Sequence, residues 1–341
     1  MKIIGGPFSE IPMMKDENGK ICNLPDIRYI GSGRAALYII LIHIRKLSFS
    51  NTVWLPAYYC DVAREVARSL GFMVKYYSVT YSLDHYSADT SKIRFGDIVV
   101  FLNYYGFSEK ILQKQMKTLK TKGCILIEDI THSLLSNNIS DFSDYYYGSL
   151  RKWSGFVTGG VLSGANLSIE SNYDADDELV HHMDSFIEEY RAYMRTGMGD
   201  REYFSNCFYE AELIINQNYK KDGVHENDLI AMKHWDIDKV ISKRIQNARY
   251  LLKYIKNKNV FIFDKISPGD VPFFFPVYLK NRKEVCALLD KNNIFCSVLW
   301  QRPADCQEDC NLYDSEFGLV CDERYTLSDM KRMVDLLNVI L

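Results

Sequence analysis

The sequence predicts an α/β protein with a mostly parallel sheet covered by helices. Two observations carry this. Strand-like and helix-like segments alternate through the first 165 residues. Two of the strand candidates, Ile98–Leu102 and Cys124–Ile127, are continuous apolar runs, as expected of strands buried on both faces.

The elements follow in order. Ile27–Ile30 reads as a short strand, then Gly31-Ser32-Gly33, then a helical run from Ala35 to about Lys46. Thr52–Leu55 is a strand stopped by Pro56, and Asp61–Leu70 is a helix closed by Gly71. Val74–Val79 is another strand. Between Asp174 and Asn218 the strand signal disappears, and the segment is charged, aromatic and helical in pattern. Apolar residues at Ile237, Val240, Ile241, Ile245, Ala248, Leu251 and Leu252 predict one long helix over Lys233–Lys256. A smaller α/β unit follows, with strands near Phe261–Phe263, Phe273–Leu279 and Phe295–Leu299 and helices near Arg282–Asn292 and Ser328–Leu341. This predicts a large domain over residues 1–230 and a small one over 231–341, bridged by the long helix.

The 341 residues are 47% hydrophobic and 25% charged, the balance of a globular protein. A net charge of −3 gives no basic footprint for nucleic acid. No apolar stretch approaches the roughly 20 residues of a membrane span, and the N-terminus does not read as a signal peptide. Nine scattered cysteines predict reduced thiols in the cytoplasm. Cys306, Cys310 and Cys321 invite a zinc reading, but no histidine lies among them and the spacing matches no common finger, so no metal is expected.

Four features at the ends of predicted strands carry chemistry, since open α/β sheets bind ligands there. Gly31-Ser32-Gly33-Arg34-Ala35-Ala36 lies between a strand and a helix, where backbone N–H groups make an anion site. It also fits a dinucleotide fingerprint, though the acidic residue wanted about 20 positions on is missing; a plain strand–helix turn is the other reading. Glu128-Asp129-Ile130-Thr131-His132 follows an apolar strand. Its carboxylate suits either a protonated ring nitrogen or a helix cap. Ser149-Leu150-Arg151-Lys152 precedes Thr158-Gly159-Gly160; a lysine in a folded site forms Schiff bases with aldehydes, whereas most lysines are solvated surface charges. Pro56-Ala57-Tyr58-Tyr59 offers a ring for a planar cofactor or for the core.

Together these residues resemble the DegT/DnrJ/StrS family of sugar aminotransferases. Ser32-Gly33-Arg34-Ala35-Ala36-Leu37 is similar to the family's phosphate-site Ser-Gly-Thr-x-Ala-Leu. Glu128-Asp129 with His132 matches Glu-Asp-Ala-x-His/Gln, and Lys152 is followed seven and eight residues later by Gly159-Gly160. Asn103-Tyr104-Tyr105-Gly106 resembles Val-His-x-x-Gly, and Asp322-Glu323-Arg324-Tyr325 with Ser328-Asp329-Met330 resembles the C-terminal Arg-Tyr-x-x-x-Asp-Met segment.

The resemblance implies the aspartate-aminotransferase fold (fold type I), with a seven-stranded type of sheet, and pyridoxal 5'-phosphate as cofactor. It implies Lys152 as Schiff-base lysine and proton shuttle, Asp129 on the pyridinium nitrogen, and His132 packed on the ring or bonded to its hydroxyl. Gly33 and Arg34 would give backbone N–H groups to the phosphate. Asn103 belongs to the same cofactor set, and Tyr59 is placed against the ring by proximity. Tyr147 stands where the family's phosphate-binding serine lies, five residues before the lysine, so Ser149 is its substitute. The family's stacking aromatic aligns with Cys60, and its Asn-Tyr-Arg loop has no good match. Arg324 and Arg151 are candidates for a donor carboxylate or sugar-nucleotide phosphate; for Arg324 an ion pair with Asp329 or Glu323 competes.

The implied activity is transfer of an amino group, with glutamate as donor, to a keto sugar, nucleotide-linked, in surface-polysaccharide biosynthesis. A homodimer is implied, with no nucleic acid and no membrane. A lyase, a dehydratase and a non-catalytic sugar-binding or regulatory relative are the alternatives, and Lys152 argues against the dehydratases, which carry histidine there.

Overall fold

The computed structural model describes residues 2–17, 21–22, 24–82, 85–167, 174–221 and 223–341. In chain order the elements are β1 (Arg28–Ile30), α1 (Gly33–Leu47), β2 (Thr52–Pro56), α2 (Asp61–Ser69), β3 (Met73–Ser82), β4 (His85–Asp89), β5 (Ile98–Leu102), α3 (Lys110–Thr121), β6 (Ile125–Asp129), β7 (Tyr145–Ser149), β8 (Gly160–Gly164), α4 (Asp177–Thr196), α5 (Arg201–Asn218), α6 (Glu226–His234), α7 (Ile237–Tyr254), β9 (Phe275–Tyr278), α8 (Arg282–Asp290), β10 (Glu316–Leu319) and α9 (Leu327–Ile340).

Contacts divide the chain into two compact units. The first takes the residues up to Gly6, Ser50–Ser143 and Asp238–Leu341; the second takes Pro7–Phe49 and Asp144–Ile237. These units are discontinuous and cross the sequence division at residue 230, which stands as a proposal about folding units.

In the first unit, β2 pairs in parallel with β3 on one side and β5 on the other, and β5 pairs in parallel with β6. Every residue of β5 is buried, which explains its unbroken apolar run. β4 turns back antiparallel on β3. Helices α2 and α3 lie against these strands. A separate antiparallel pair, β9 and β10, lies in the C-terminal part. Helix α9 opens with a capping box in which Thr326 and Asp329 satisfy each other's backbone N–H groups.

In the second unit, β8 pairs antiparallel with β1 and with β7. Helix α1 lays Ala36, Leu37, Ile40 and Ile44 inward, and Ser32 caps its start by accepting the Ala35 N–H at 3.2 Å. Helices α4 and α5 form a hairpin closed by an aromatic core of Phe186, Tyr190 and Phe204 that also covers Val157. Asp176 caps α4, and Gly197, at φ 73°, ends it in the left-handed conformation.

Three sequence expectations change. The long helix predicted over 233–256 is two helices, because Trp235 is extended, fully buried, and bridged to Met13. The segments near 261–263 and 295–299 make single bridges, Phe261 with Val277 and Ser297 with Gly318, rather than strands. The partner that β9 does take, β10, carries Glu316 in its short run and gave no strand signal. No helix among the described residues is long and apolar enough to cross a membrane.

Glu128 and Glu316 are deeply buried. Burial raises Glu128 to about 8, opposed by the Ser140 N–H and Ser143 hydroxyl; burial raises Glu316 to about 7, opposed by the Tyr58 hydroxyl. Between the ordinary carboxyl value and these raised values the folded chain holds protons that the unfolded chain has released. Stability from these groups is therefore complete below about pH 4.5 and is lost as pH rises through about 7 to 8. Melting temperatures should fall from pH 5 to pH 8, and a Glu128→Gln, Glu316→Gln variant should lose less over that range. An equal loss in both proteins would contradict the assignment.

Candidate cofactor site

The C-terminal ends of parallel strands hold the first group of candidate residues. Leu102 of β5 lies opposite Asp129 of β6, so Asn103 follows directly from the strand beside the carboxylate. Asn103 is 1% exposed, and both ends of its amide lack a hydrogen-bond partner. An unmade pair of this kind costs free energy unless something satisfies it, which marks a place for a polar ligand.

Asp129 is buried. Its Oδ1 accepts the Thr131 N–H at 2.8 Å, an Asx-type turn rather than the cap of a helix. Its Oδ2 accepts the Tyr59 hydroxyl at 2.6 Å. Tyr59 comes from the loop after β2, which is tied down on both sides. The Ala57 N–H bonds Tyr77 O at 2.8 Å, Tyr313 donates to Ala57 O, and Tyr104 donates to Tyr58 O. Tyr58 itself donates to Glu316 at 2.5 Å.

His132 is buried in aromatic surroundings: Phe273 stacks on it at 4.5 Å, and Trp300 lies parallel to it at 5.5 Å with a 4° interplanar angle. Its Nδ1 accepts the Tyr105 N–H at 3.3 Å, which assigns the neutral ring's proton to Nε2. Trp300 also meets Tyr58 edge-on at 5.0 Å and Tyr59 at 6.0 Å. Sequence reasoning missed Trp300, because the run before it read as an ordinary strand.

The second unit holds the rest. A Cβ on Gly33 would stand 3.2 Å from Gly148 O and 3.4 Å from Ser149 Cβ, so the start of α1 packs directly on the end of β7. A Cβ on Gly160 would stand 2.0 Å from Ser32 O, which only glycine tolerates. Gly159 N–H closes the arrangement on Gly31 O at 2.7 Å. Thus Gly33, Arg34 and Ser149, matched separately in the sequence, lie together. Gly33 and Arg34 supply the first N–H groups of α1, where a helix attracts anions; the Arg34 guanidinium lies over the Tyr219 ring at 5.4 Å.

Lys152 ends a 3-10 turn, Leu150–Lys152, and its side chain is exposed. The segment after it is clamped by Asp228, which accepts the Val157 N–H at 3.2 Å and both the N–H and hydroxyl of Thr158 at 2.7 Å. Arg151 pairs with Glu212 of α5 at 2.5 Å. Burial alone would raise the Glu212 carboxyl, but Arg151, Lys152 and Arg34 together hold it below the ordinary value. Glu212 is therefore the shared counter-charge of three sequence candidates, and nothing in the helical pattern of α5 singled it out.

Arg324 is elsewhere in the first unit. Its guanidinium makes a two-pronged bond to Asp322, at 2.9 and 2.8 Å, and reaches Gly6 O. The competing pair expected with Asp329 or Glu323 falls to Asp322 instead; Asp329 serves Thr326 and Lys2, and Glu323 serves Arg244. Among the described residues no cluster of His, Cys, Asp and Glu is arranged to hold a metal.

No family model matches the sequence, and no curated protein matches it. The fold has clear counterparts: it is the α/β fold of the fold-type-I aminotransferases, a mostly parallel large sheet flanked by helices. Sugar aminotransferase CalS13 from Micromonospora echinospora matches with a TM-score of 0.62 over 98% of this chain and 99% of its own, at 12% identity. The aminotransferase PseC of Helicobacter pylori, involved in the biosynthesis of pseudoaminic acid, matches at 0.61 over 97% and 98%, with 13% identity. Spr1654 of Streptococcus pneumoniae, assigned as a sugar aminotransferase and solved in its PMP form, matches at 0.64 over 98% and 99%, with 12% identity.

The Arg151–Glu212 pair yields a stability test. Arg151 has only 9% of its side chain exposed and Glu212 32%. Glu212→Ala should cost about 2 kcal/mol, between the values for exposed and buried pairs, by stranding the guanidinium. Urea unfolding of Arg151→Ala, Glu212→Ala and the double variant should show the double costing less than the sum. Strict additivity would mean that Glu212 does not hold Arg151.

Proposed function

We propose that this chain is a pyridoxal-phosphate-dependent aminotransferase that moves an amino group from glutamate to a keto sugar, nucleotide-linked, in surface-polysaccharide biosynthesis. One observation carries the cofactor reading: the buried, unpaired Asn103 amide beside the Tyr59–Asp129 pair, at the strand ends where this class of fold binds ligands. The shared fold with sugar aminotransferases supports the reaction and the substrate class.

Pyridoxal phosphate would supply an aldehyde for the lysine and an electron sink for charge developing at the donor's Cα. The chain's residues then have distinct tasks. Lys152 would hold the cofactor through its Nζ and, once released by the donor amine, would act as the base that takes the donor's Cα proton. In the second half-reaction the same amine would return a proton to the sugar carbon that acquires the nitrogen. Asp129 would accept from the ring nitrogen and favour its protonated form. His132, whose Nδ1 accepts the Tyr105 N–H, would pack on the ring or bond its hydroxyl. Asn103 has donor and acceptor to spare for the same edge. The N–H groups of Gly33 and Arg34, with the Ser149 hydroxyl, would hold the phosphate. Arg151, committed to Glu212, supports the lysine's turn, and Arg324, committed to Asp322, is an unsuitable substrate clamp. The homodimer implied by the family resemblance belongs to the same proposal.

Pyridoxal phosphate added to the purified protein should produce a visible absorption band that bleaches with glutamate. Lys152→Ala should lose the band and at least a thousandfold of the transamination rate, roughly the upper range for removing a proton-transfer group. No band in the wild-type protein would remove the enzyme reading, and sugar-binding assays would then test the non-catalytic alternative.

A further inference from the structure

We infer that Tyr59 is a positioning residue: its hydroxyl orients Asp129 and keeps that carboxylate ionised, so that the cofactor's ring nitrogen retains its proton. The inference rests on the cofactor reading above and assigns Tyr59 a task different from lying against the ring.

The geometry is specific. Tyr59 is 3% exposed, and its hydroxyl lies 2.6 Å from Asp129 Oδ2. The loop that carries it cannot swing away easily: Ala57 is held at its N–H by Tyr77 and at its carbonyl by Tyr313, and the Tyr58 carbonyl is held by Tyr104. The Tyr58 side chain, next along, is anchored to buried Glu316. On the other oxygen, the Thr131 N–H fixes Oδ1 at 2.8 Å. Each carboxylate oxygen therefore accepts at least one hydrogen bond, and the two together set the plane of the group.

Donors to a carboxylate stabilise its charged form, and do so most where water is excluded. When Asp129 shares a proton with a ring nitrogen, every donor on the carboxylate biases that proton toward nitrogen. A protonated ring nitrogen is what makes the cofactor an electron sink. Tyr59 thus acts through Asp129 and touches no reacting atom.

The test uses pyridoxal phosphate labelled with 15N in the ring, bound to the full-length chain and followed by NMR from pH 6 to 9. Wild type should show a pyridinium shift across this range. Tyr59→Phe removes only the hydroxyl and keeps the ring packed on Trp300, so the apo variant should melt as a folded protein. Its 15N signal should move toward neutral pyridine at a lower pH than in wild type, and its cofactor affinity should fall roughly tenfold, the loss of one hydrogen bond to a charged group. Asp129→Asn should give the neutral signal throughout, and adding Tyr59→Phe to it should change nothing more. An unmoved pyridinium signal in Tyr59→Phe overturns the inference and leaves the cofactor reading standing. Failure of the wild-type protein to bind the labelled cofactor overturns the cofactor reading itself.

Discussion

The placement of Asn103, Asp129 and Tyr59 depends on the parallel pairing of β5 with β6. Parallel strands end at the same edge, and the register that sets Leu102 against Asp129 puts Asn103 and the carboxylate side by side there. β2 pairs with β5 in the same sense, so the loop it feeds brings Tyr59 to that edge as well. A shift of one residue along β6 would turn its side chains to the opposite faces and remove the carboxylate from Tyr59. The fully apolar β5 and the buried aromatic layer of Tyr58, Tyr104, His132 and Phe273 resist such a shift. Packing energy in this region therefore maintains the arrangement of these candidate residues as well as stability.

The second unit obeys a different constraint, close backbone approach. Gly160 is glycine because the neighbouring chain leaves no room for a Cβ, and Gly33 packs closely on Gly148 and Ser149, which brings the start of α1 onto the end of β7. Lys152 follows β7 by a single tight turn. What surrounds that turn is electrostatic: Glu212 answers Arg151, Lys152 and Arg34 at once, and Asp228 pins the segment that follows. The helical hairpin that delivers Glu212 is also the region where the sequence resembles the sugar aminotransferases least.

The strands and α1 were legible because their signals are local. Apolar runs, a serine cap and glycine stops survive in any context. The lysine, the aspartate and the histidine were legible only as a set, since each alone has an ordinary structural explanation. What the sequence hid was set by distant partners. The break at Trp235 follows from a bridge to Met13, more than 200 residues away. Pairing of β9 with β10 gave no periodic signal, and Trp300 and Glu212 acquire meaning only through the residues they face. Tyr59 was singled out for its ring, and the hydrogen bond of its hydroxyl to Asp129 had no signal in the sequence.

The central claim is that Lys152 is the lysine through which this chain holds its cofactor. Reduction with borohydride of protein incubated with pyridoxal phosphate, followed by mass spectrometry of its peptides, tests it most directly. A phosphopyridoxyl group is expected on Lys152, with substoichiometric amounts at most on any other lysine. Modification confined to other lysines, or spread evenly over the surface, would contradict it.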